Sequence, residues 1–136
     1  RRDDAAPFSI RDWVVNDRPG FVFLTGNAEQ VSVAELSKMI AIDADAPLVI
    51  DIRHDDDRER YIWRIANTEW RDSFKVADWV GDLPTDRLVV VYCMYGFWVS
   101  QQAAAELRAE GINARSLKGG VTAWRAMGLP CSLNDN

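Results

Sequence analysis

Cys93 is the residue whose type and position point most directly to chemistry. It follows the apolar run Leu88-Val89-Val90-Val91-Tyr92 and precedes a segment that leads into a predicted helix near Ser100. Ligands of open α/β sheets bind beyond the carboxyl ends of the strands. If residues 94–99 curve around the sulfur, their N–H groups form a nest for negative charge, and the positive end of the helix adds to it. Both effects favour the thiolate, which is the nucleophilic form of cysteine.

The elements that would position Cys93 alternate between strands and helices. Continuous apolar runs at residues 48–52 and 88–92 predict strands that are buried on both faces. Ser32 and Glu35 have the spacing of a capping box, so a helix is predicted to begin there. Further elements are predicted as helices over residues 72–80, 99–110 and 120–124 and a short strand over 113–117. This alternation predicts an α/β fold with an open, mostly parallel sheet and helices on both faces.

The composition limits the kinds of partner and compartment. The chain of 136 residues has a formal net charge of −5 and no basic stripe, so neither nucleic acid nor an anionic membrane surface is an expected partner. No apolar stretch approaches the ~18 residues of a transmembrane helix, and the N-terminus does not read as a signal peptide. Two cysteines make no disulfide framework, so we expect a cytoplasmic protein. We predict an N-terminal extension at residues 1–30, with a possible edge strand at 21–24, and one domain at residues 31–136.

Three segments besides the Cys93 loop can be compared with known families. Their sequences are Val31-Ser32-Val33-Ala34-Glu35-Leu36, Leu48-Val49-Ile50-Asp51-Ile52-Arg53, and Leu117-Lys118-Gly119-Gly120 with Trp124 and Gly128-Leu129-Pro130. In order, they resemble the opening helix, the strand ending in Asp-Val-Arg, and the closing Gly-Gly-x-x-x-Trp-x-x-x-Gly-x-Pro pattern of the rhodanese (sulfurtransferase) domain. Cys93 followed by Gly96 resembles the Cys-x-x-Gly active-site loop of the same family. The resemblance covers residues 31–130 and implies a rhodanese-like fold.

The resemblance also implies an activity and a site. Cys93 would be the catalytic nucleophile of a sulfurtransferase, taking sulfane sulfur from a small-molecule donor as a persulfide and passing it to a thiol or cyanide. The substrate-binding loop would consist of Met94, Tyr95, Gly96, Phe97, Trp98 and Val99. The supporting residues would be Asp51, Arg53, Arg64 and Ser100, with Asp51 and Arg53 organising the neighbouring loop. Neither a metal nor a cofactor is implied.

Departures from the family pattern lead to more specific expectations. Many thiosulfate-using members carry Arg or Lys in the active loop, whereas this loop is uncharged and rich in bulky side chains, so we expect weak activity toward thiosulfate. The family's Gly-His-Ile-Pro-Gly-Ala segment corresponds only loosely to residues 63–68. The acidic partner of Arg53 therefore stays open between Asp57 and Glu59, and Arg64 could approach the site. The end of the loop, Gly96 followed by Val99-Ser100-Gln101, resembles that of rhodanese domains associated with chromate resistance.

Other kinds of cysteine chemistry fit the sequence less well. Phosphatases of the Cys-x5-Arg type need an arginine six residues after the nucleophile, where this chain has Val99. One histidine and two separated cysteines supply neither a zinc site nor a Cys-x-x-Cys motif. A non-catalytic rhodanese-like module remains the alternative; it would sense metal or oxidant, or dock a partner, in a stress or oxyanion-resistance context. Cys131 is either an inert thiol or a resolving one, and Trp98 either lines the substrate mouth or packs inward.

Overall fold

The computed structural model describes residues 29–42 and 46–134. The strand predicted at residues 21–24 and nearly all of the predicted N-terminal extension lie outside these ranges. The strands are β1 (Gln30–Val31), β2 (Leu48–Asp51), β3 (Trp63–Ile65), β4 (Glu69–Trp70), β5 (Val89–Tyr92), β6 (Ala114–Leu117) and β7 (Cys131–Leu133). The α-helices are α1 (Val33–Ile42), α2 (Asp55–Arg60), α3 (Val76–Trp79), α4 (Trp98–Ala109) and α5 (Gly120–Ala126).

Five of the strands form one parallel sheet in the order β1-β6-β5-β2-β4. The central strand, β5, is buried along its whole length, which explains why it reads as a continuous apolar run. Asp51 of β2 stands opposite Tyr92 of β5. Because parallel strands end at the same edge of a sheet, the segments that follow these two residues meet there.

Helices cover both faces of the sheet, as the sequence predicts. Successive residues of a strand point to opposite faces. On one face, which we call the α5 side, Val90 and Tyr92 pack with residues of α1 and α5. On the other, the α4 side, Val89 and Val91 pack with residues of α3 and α4. Cys93 belongs to the core of the α4 side.

The predicted capping box at the start of α1 is confirmed. The backbone N–H of Glu35 donates to Ser32 Oγ at 3.0 Å, and the backbone N–H of Ser32 donates to Glu35 Oε1 at 2.9 Å. Val33, Leu36 and Met39 then form the buried face of the helix. Reciprocal capping satisfies two amide groups that would otherwise lack partners, so α1 begins at the position that the sequence indicates.

The continuous helix predicted over residues 72–80 is wrong. The segment consists of a 3₁₀ turn at Ser73–Lys75, the single turn of α3, and a second 3₁₀ turn at Val80–Asp82. Lys75 has φ −127° and ψ 36°, outside the helical region, so it separates the first turn from α3. The apolar spacing is helical overall, but it does not reveal a break in the backbone.

A second, two-stranded antiparallel sheet was not predicted. It pairs β3 with β7, with Ile65 opposite Cys131. Each strand has only three residues, too few to show the alternation of apolar and polar residues on which strand prediction depends.

Candidate active site

Cys93 lies where β5 ends, in the loop that leads into α4. Cys93 is buried, with 6% of the residue exposed, so a ligand has to enter the loop to reach the sulfur. The Cys93 Sγ lies 3.2 Å from the Oγ of Ser100, which is fully buried in the first turn of α4. When Cys93 is a thiolate, the Ser100 hydroxyl is placed to donate a hydrogen bond to it. A hydrogen bond to the charged form of a group favours that form.

Hydrogen bonds from the start of α5 hold the Cys93 loop in place. The N–H of Val121 donates to the carbonyl of Cys93 at 3.0 Å, and the N–H of Thr122 donates to the carbonyl of Met94 at 3.2 Å. Thr122 Oγ1 also donates to the Met94 carbonyl, at 3.1 Å. These bonds fix the direction of the first two peptide carbonyls of the loop.

Two glycines make this close backbone contact possible. Gly96 has φ +77°, and a Cβ there would stand 2.5 Å from the N of Gly119. Gly120 has φ +63°, and a Cβ there would stand 2.4 Å from the carbonyl oxygen of Cys93. Any side chain at either position would collide with backbone, so the sequence requirement at both is steric as well as conformational.

The backbone amide groups of residues 94 to 100 bear on what the loop can bind. Within residues 29–42 and 46–134, no acceptor is recorded for the N–H groups of residues 94 to 100. The carbonyl of Gly96, by contrast, accepts from the side-chain amide of Gln101 at 2.9 Å. A run of unpaired N–H groups at the start of a helix favours an anion or a thiolate. Such a loop is suited to hold negative charge on or next to Cys93.

The loop side chains divide between core and solvent. Met94 is buried on the α5 side, and Val99 packs against the core that contains Cys93. Tyr95, Phe97 and Trp98 are exposed, and Trp98 is the most exposed of the three at 78%. Of the two alternatives for Trp98, packing inward does not occur. The exposed surface of the loop is therefore aromatic, and residues 94–99 carry no charged side chain.

Asp51 and Arg53 pair with each other, which corrects the expectation that Arg53 pairs with Asp57 or Glu59. Arg53 Nε and Nη2 donate to the Asp51 carboxylate at 3.0 and 2.6 Å, and both side chains are buried. Side chains two residues apart in an extended segment project to the same side of the chain. Asp51 and Arg53 can therefore bind each other without a partner from another element. The Asp57 carboxylate instead accepts from Arg60 within α2.

The Asp51–Arg53 pair is an anchor beside the site. Arg53 also donates to the carbonyl of Tyr61 at 3.0 Å and to Oδ1 of Asn134 at 2.9 Å. Burial lowers the pKa of Arg53, but the hydrogen bonds and negative charge of Asp51 outweigh it, and the net shift is upward. The guanidinium therefore stays charged and fixes the segment after β2 against α2 and β7.

Tyr92 also anchors a neighbouring segment by hydrogen bonds, on the opposite face of the sheet from Cys93. Its hydroxyl accepts from the N–H of Ile65 and is 3.1 Å from Thr68 Oγ1. Burial raises the pKa of Tyr92, and the negative charge of Asp51 adds to this effect, so the phenol remains protonated. Tyr92 thus ties the end of β5 to the β3–β4 connection as a neutral hydrogen-bonding group.

Arg64 and Cys131 are placed by the smaller sheet. Arg64 donates to the carbonyls of Thr68 and Leu133, so these bonds bind β3 to its surroundings. Cys131 is half-buried against the core of the α5 side, whereas Cys93 lies in the core of the α4 side. Burial raises the pKa of Cys131, against the opposing charge of Arg125. The structure does not bring the two cysteines together.

Several residues around the loop were not singled out from the sequence as parts of the site. They are Gln101, Gly119, Gly120, Thr122, His54 and Phe74. The Gly119-Gly120 pair belongs to the closing Gly-Gly pattern of the sequence, but its contact with the Cys93 carbonyl depends on β5 and β6 being neighbours. No local pattern in the sequence could have placed Phe74 near α4.

Two further features concern possible ligands and membranes. Among residues 29–42 and 46–134, no three His, Cys, Asp or Glu side chains are grouped so that they could hold a metal ion. In the same part of the chain, no helix has the length and apolarity to cross a membrane.

Most of the chain matches a family of known proteins. Residues 32–127 match the family described as Rhodanese-like domain. The chain therefore belongs to the rhodanese-like domain family. A search of curated proteins found no match.

Solved structures support the same fold. A rhodanese-related protein from Thermoplasma volcanium is 24% identical, with a TM-score of 0.66, and the match covers 78% of this chain and 99% of that one. A thiosulfate sulfurtransferase from Pseudomonas aeruginosa is 22% identical, with a TM-score of 0.64, over 78% of this chain and 19% of that one. A Rhodopseudomonas palustris protein of unknown function, described as a possible tyrosine phosphatase, is 19% identical, with a TM-score of 0.64, over 97% and 100%. At these identities the likeness concerns the fold, and the chromate-resistance resemblance remains unconfirmed.

Proposed function

We propose that this protein is a sulfurtransferase that carries sulfane sulfur as a persulfide on Cys93. The observation that carries the proposal is the setting of the Cys93 sulfur. It lies at the end of the central strand, 3.2 Å from the Ser100 hydroxyl, in a loop whose amide groups from residue 94 to residue 100 have no acceptor among the described residues. This setting stabilises negative charge on Cys93 and on a second sulfur bonded to it.

The reaction has two steps at one sulfur atom. In the first, the Cys93 thiolate attacks the sulfane sulfur of the donor; the Sγ–S bond forms, and the donor's bond to that sulfur breaks. The leaving group keeps the electron pair, so a thiosulfate donor leaves as sulfite and Cys93 becomes a persulfide anion. In the second, a thiolate or cyanide attacks the outer sulfur and releases the Cys93 thiolate. No external oxidant or reductant enters.

The loop also bears on the choice of donor. Met94, Tyr95, Phe97 and Trp98 provide no cation for the sulfonate of thiosulfate. An anion held only by backbone amides lacks the charge-assisted bonds that Arg or Lys provides. We therefore propose weak activity toward thiosulfate.

We also propose a reducing, cytoplasmic setting for the protein. Both cysteines are free thiols, as is usual for proteins of a reducing compartment.

Steady-state turnover tests this proposal. Purified protein is given a sulfane-sulfur donor with cyanide or a thiol as acceptor, and the transferred sulfur is measured. We expect turnover that disappears in Cys93→Ser and persists in Cys131→Ser. Equal rates for wild type and Cys93→Ser would contradict the proposal.

A second candidate is a non-catalytic module that docks a partner or senses oxidant. The exposed side chains of Tyr95, Phe97 and Trp98 favour it, because exposed aromatic residues are enriched in interaction surfaces. This candidate predicts no turnover with any donor, together with oxidation of Cys93 or binding of a partner. The assay described above separates the two.

A further inference from the structure

A groove opens beside the Cys93 loop, between α4 and the turn that precedes α3. Its volume is about 230 Å³, and its lining includes His54, Phe74, Trp98, Val99 and Glu106. Trp98 and Val99 belong to both the groove and the Cys93 loop. Val99 and another lining residue, Ala103, pack in the same core as Cys93. The groove therefore lies beside the loop that carries Cys93.

The aromatic residues of this groove are exposed without an evident structural benefit. Phe74 is 79% exposed and Trp98 is 78% exposed. The rings of His54 and Phe74 are stacked, with centroids 4.7 Å apart and an angle of 18° between their planes. Two large apolar side chains held in water gain little from burial in the folded state. Their shared position around one concave surface is what a ligand with an apolar body would use.

The elements that carry these rings are fixed. The Asp72 carboxylate accepts from the N–H of Phe74 at 2.9 Å, and the Asp72 carbonyl accepts from the indole N–H of the buried Trp79, also at 2.9 Å. His54 follows Arg53, whose carbonyl accepts from Trp70 Nε1 at 2.7 Å. A groove with fixed sides binds a ligand at lower entropic cost than one that must first become ordered.

Size and charge decide what kind of ligand fits. An apolar cavity of ~150 Å³ holds a benzene molecule, so 230 Å³ accommodates one aromatic ring with room to spare. No lysine or arginine is among the described lining residues, and Glu106 contributes negative charge. The groove therefore suits an uncharged, planar group, whereas the amides around Cys93 suit an anionic end.

We propose that the groove binds the apolar, planar body of the sulfur donor while the sulfane sulfur enters the Cys93 loop. This inference rests on the proposed sulfurtransferase function and names its substrate class: an organic sulfane-sulfur donor with an aromatic body. For an aryl thiosulfonate, the Cys93 thiolate forms an S–S bond to the terminal sulfur. The bond from that sulfur to the sulfonyl sulfur breaks, and an aryl sulfinate leaves with the electron pair.

Two donors that share the reacting group test the proposal. Benzenethiosulfonate and methanethiosulfonate are both monoanions with the same S–S bond, and they differ only in a phenyl or methyl body. We expect wild-type kcat/KM to favour the phenyl donor. Phe74→Ala and Trp98→Ala should each lower the phenyl-to-methyl ratio by about tenfold, since even one methylene group in a hydrophobic pocket is discriminated by roughly 10- to 200-fold. Met127→Ala, which also removes an exposed apolar side chain, should keep the wild-type ratio.

A binding measurement separates this proposal from the catalytic one. Benzenesulfonate lacks the sulfane sulfur and cannot react, so it is added to Cys93→Ser and followed by amide NMR shifts. We expect saturable shifts in Gln102 and Ala103 that are lost in Cys93→Ser with Phe74→Ala. A wild-type ratio unchanged in Phe74→Ala and Trp98→Ala, together with no shifts in the groove, would overturn the groove proposal. Absence of transfer with both donors despite saturable binding would instead overturn the sulfurtransferase function.

Discussion

The contact between Cys93 and Ser100 links the structure of the loop to the expected reactivity of the Cys93 sulfur. The Sγ–Oγ distance is 3.2 Å and both residues are buried. Ser100 lies in the first turn of α4, where the helix dipole also favours negative charge. We therefore propose Ser100 as a positioning residue for a Cys93 thiolate, and its effect can be tested separately from that of the backbone amides.

Removing the Ser100 hydroxyl should reduce the reactivity of Cys93. In a Cys131→Ser background, which leaves Cys93 as the single thiol, we expect Ser100→Ala to slow alkylation by iodoacetamide at neutral pH by about tenfold. This corresponds to a hydrogen bond to a charged group, worth about 1.5 kcal/mol. Stopped alkylation samples analysed by mass spectrometry give the rate. An unchanged rate would mean that the amides alone stabilise the thiolate.

Arg53 and Arg115, both fully buried, offer a comparison of a charge with and without hydrogen-bond partners among the described residues. Arg53 is bound by Asp51 and Asn134, whereas no hydrogen-bond partner is found for any guanidinium nitrogen of Arg115 among the described residues. Burial lowers the pKa of Arg115 to about 10, the nearby charge of Arg108 adds to this, and Glu29 opposes it. The free-energy cost of burying the charge of Arg115 therefore exceeds the stabilisation that its surroundings provide.

The same substitution should therefore have opposite effects at these two positions. We expect Arg53→Met to lower the free energy of unfolding by about 3–5 kcal/mol, because it leaves Asp51 buried without its partner. We expect Arg115→Met to raise the free energy of unfolding by about 1–4 kcal/mol. Urea denaturation followed by circular dichroism measures both. Destabilisation by Arg115→Met would show that its charge is satisfied in the folded protein.

At the element scale, the site depends on contact between the Cys93 loop and the β6–α5 turn. The carbonyls of Cys93 and Met94 are held by amides of α5, and Gly96 and Gly120 remove the side chains that would keep the two segments apart. Because β5 and β6 are neighbours in the sheet, the loop and the turn meet at its carboxyl edge. The loop is thus shaped by the neighbouring element as much as by its own sequence.

A pair of glycine substitutions separates steric contact from backbone conformation. Gly96 and Gly111 have similar φ values, +77° and +87°, but a Cβ at Gly111 would meet nothing within 4 Å. We expect Gly111→Ala to cost about 1 kcal/mol through backbone strain alone. Gly96→Ala should cost more and should also reduce labelling of Cys93. Thermal unfolding and thiol labelling of both variants provide the comparison, and equal costs would contradict the close packing.

The sequence predicts the main elements well and the contacts between distant ones poorly. The strands before Asp51 and Cys93 are continuous apolar runs, and α1 has a capping box, so local signals suffice for them. The break at Lys75, the β3–β7 pair and the partner of Arg53 depend on backbone geometry or on segments far apart in the chain. The groove is of the latter kind, because Phe74 and Trp98 come together only through packing of α3 and α4 against one face of the sheet.

At the scale of the whole molecule, the sheet separates the two cysteines. Cys93 belongs to the core of the α4 side, and Cys131 packs against the core of the α5 side. A disulfide needs Cα atoms within about 7 Å and converging Cβ directions, which residues on opposite faces of a sheet do not provide. This arrangement argues against Cys131 as a resolving thiol within one molecule.

Mild oxidation should accordingly leave Cys93 and Cys131 unlinked. After treatment with hydrogen peroxide, we expect sulfenic acid or a mixed disulfide with added glutathione on Cys93, and no internal disulfide. Peptide mapping by mass spectrometry without reduction identifies the products. A monomer with a Cys93–Cys131 link would require the chain from α5 to β7 to rearrange.

The formation of a persulfide on Cys93 can be tested by the intact mass of the protein after exposure to a sulfane-sulfur donor without an acceptor. Wild type and Cys131→Ser should each gain the mass of one sulfur atom, Cys93→Ser should gain none, and cyanide should remove the added sulfur. Absence of the added sulfur on wild type with every donor, or equal addition to Cys93→Ser, would contradict the account.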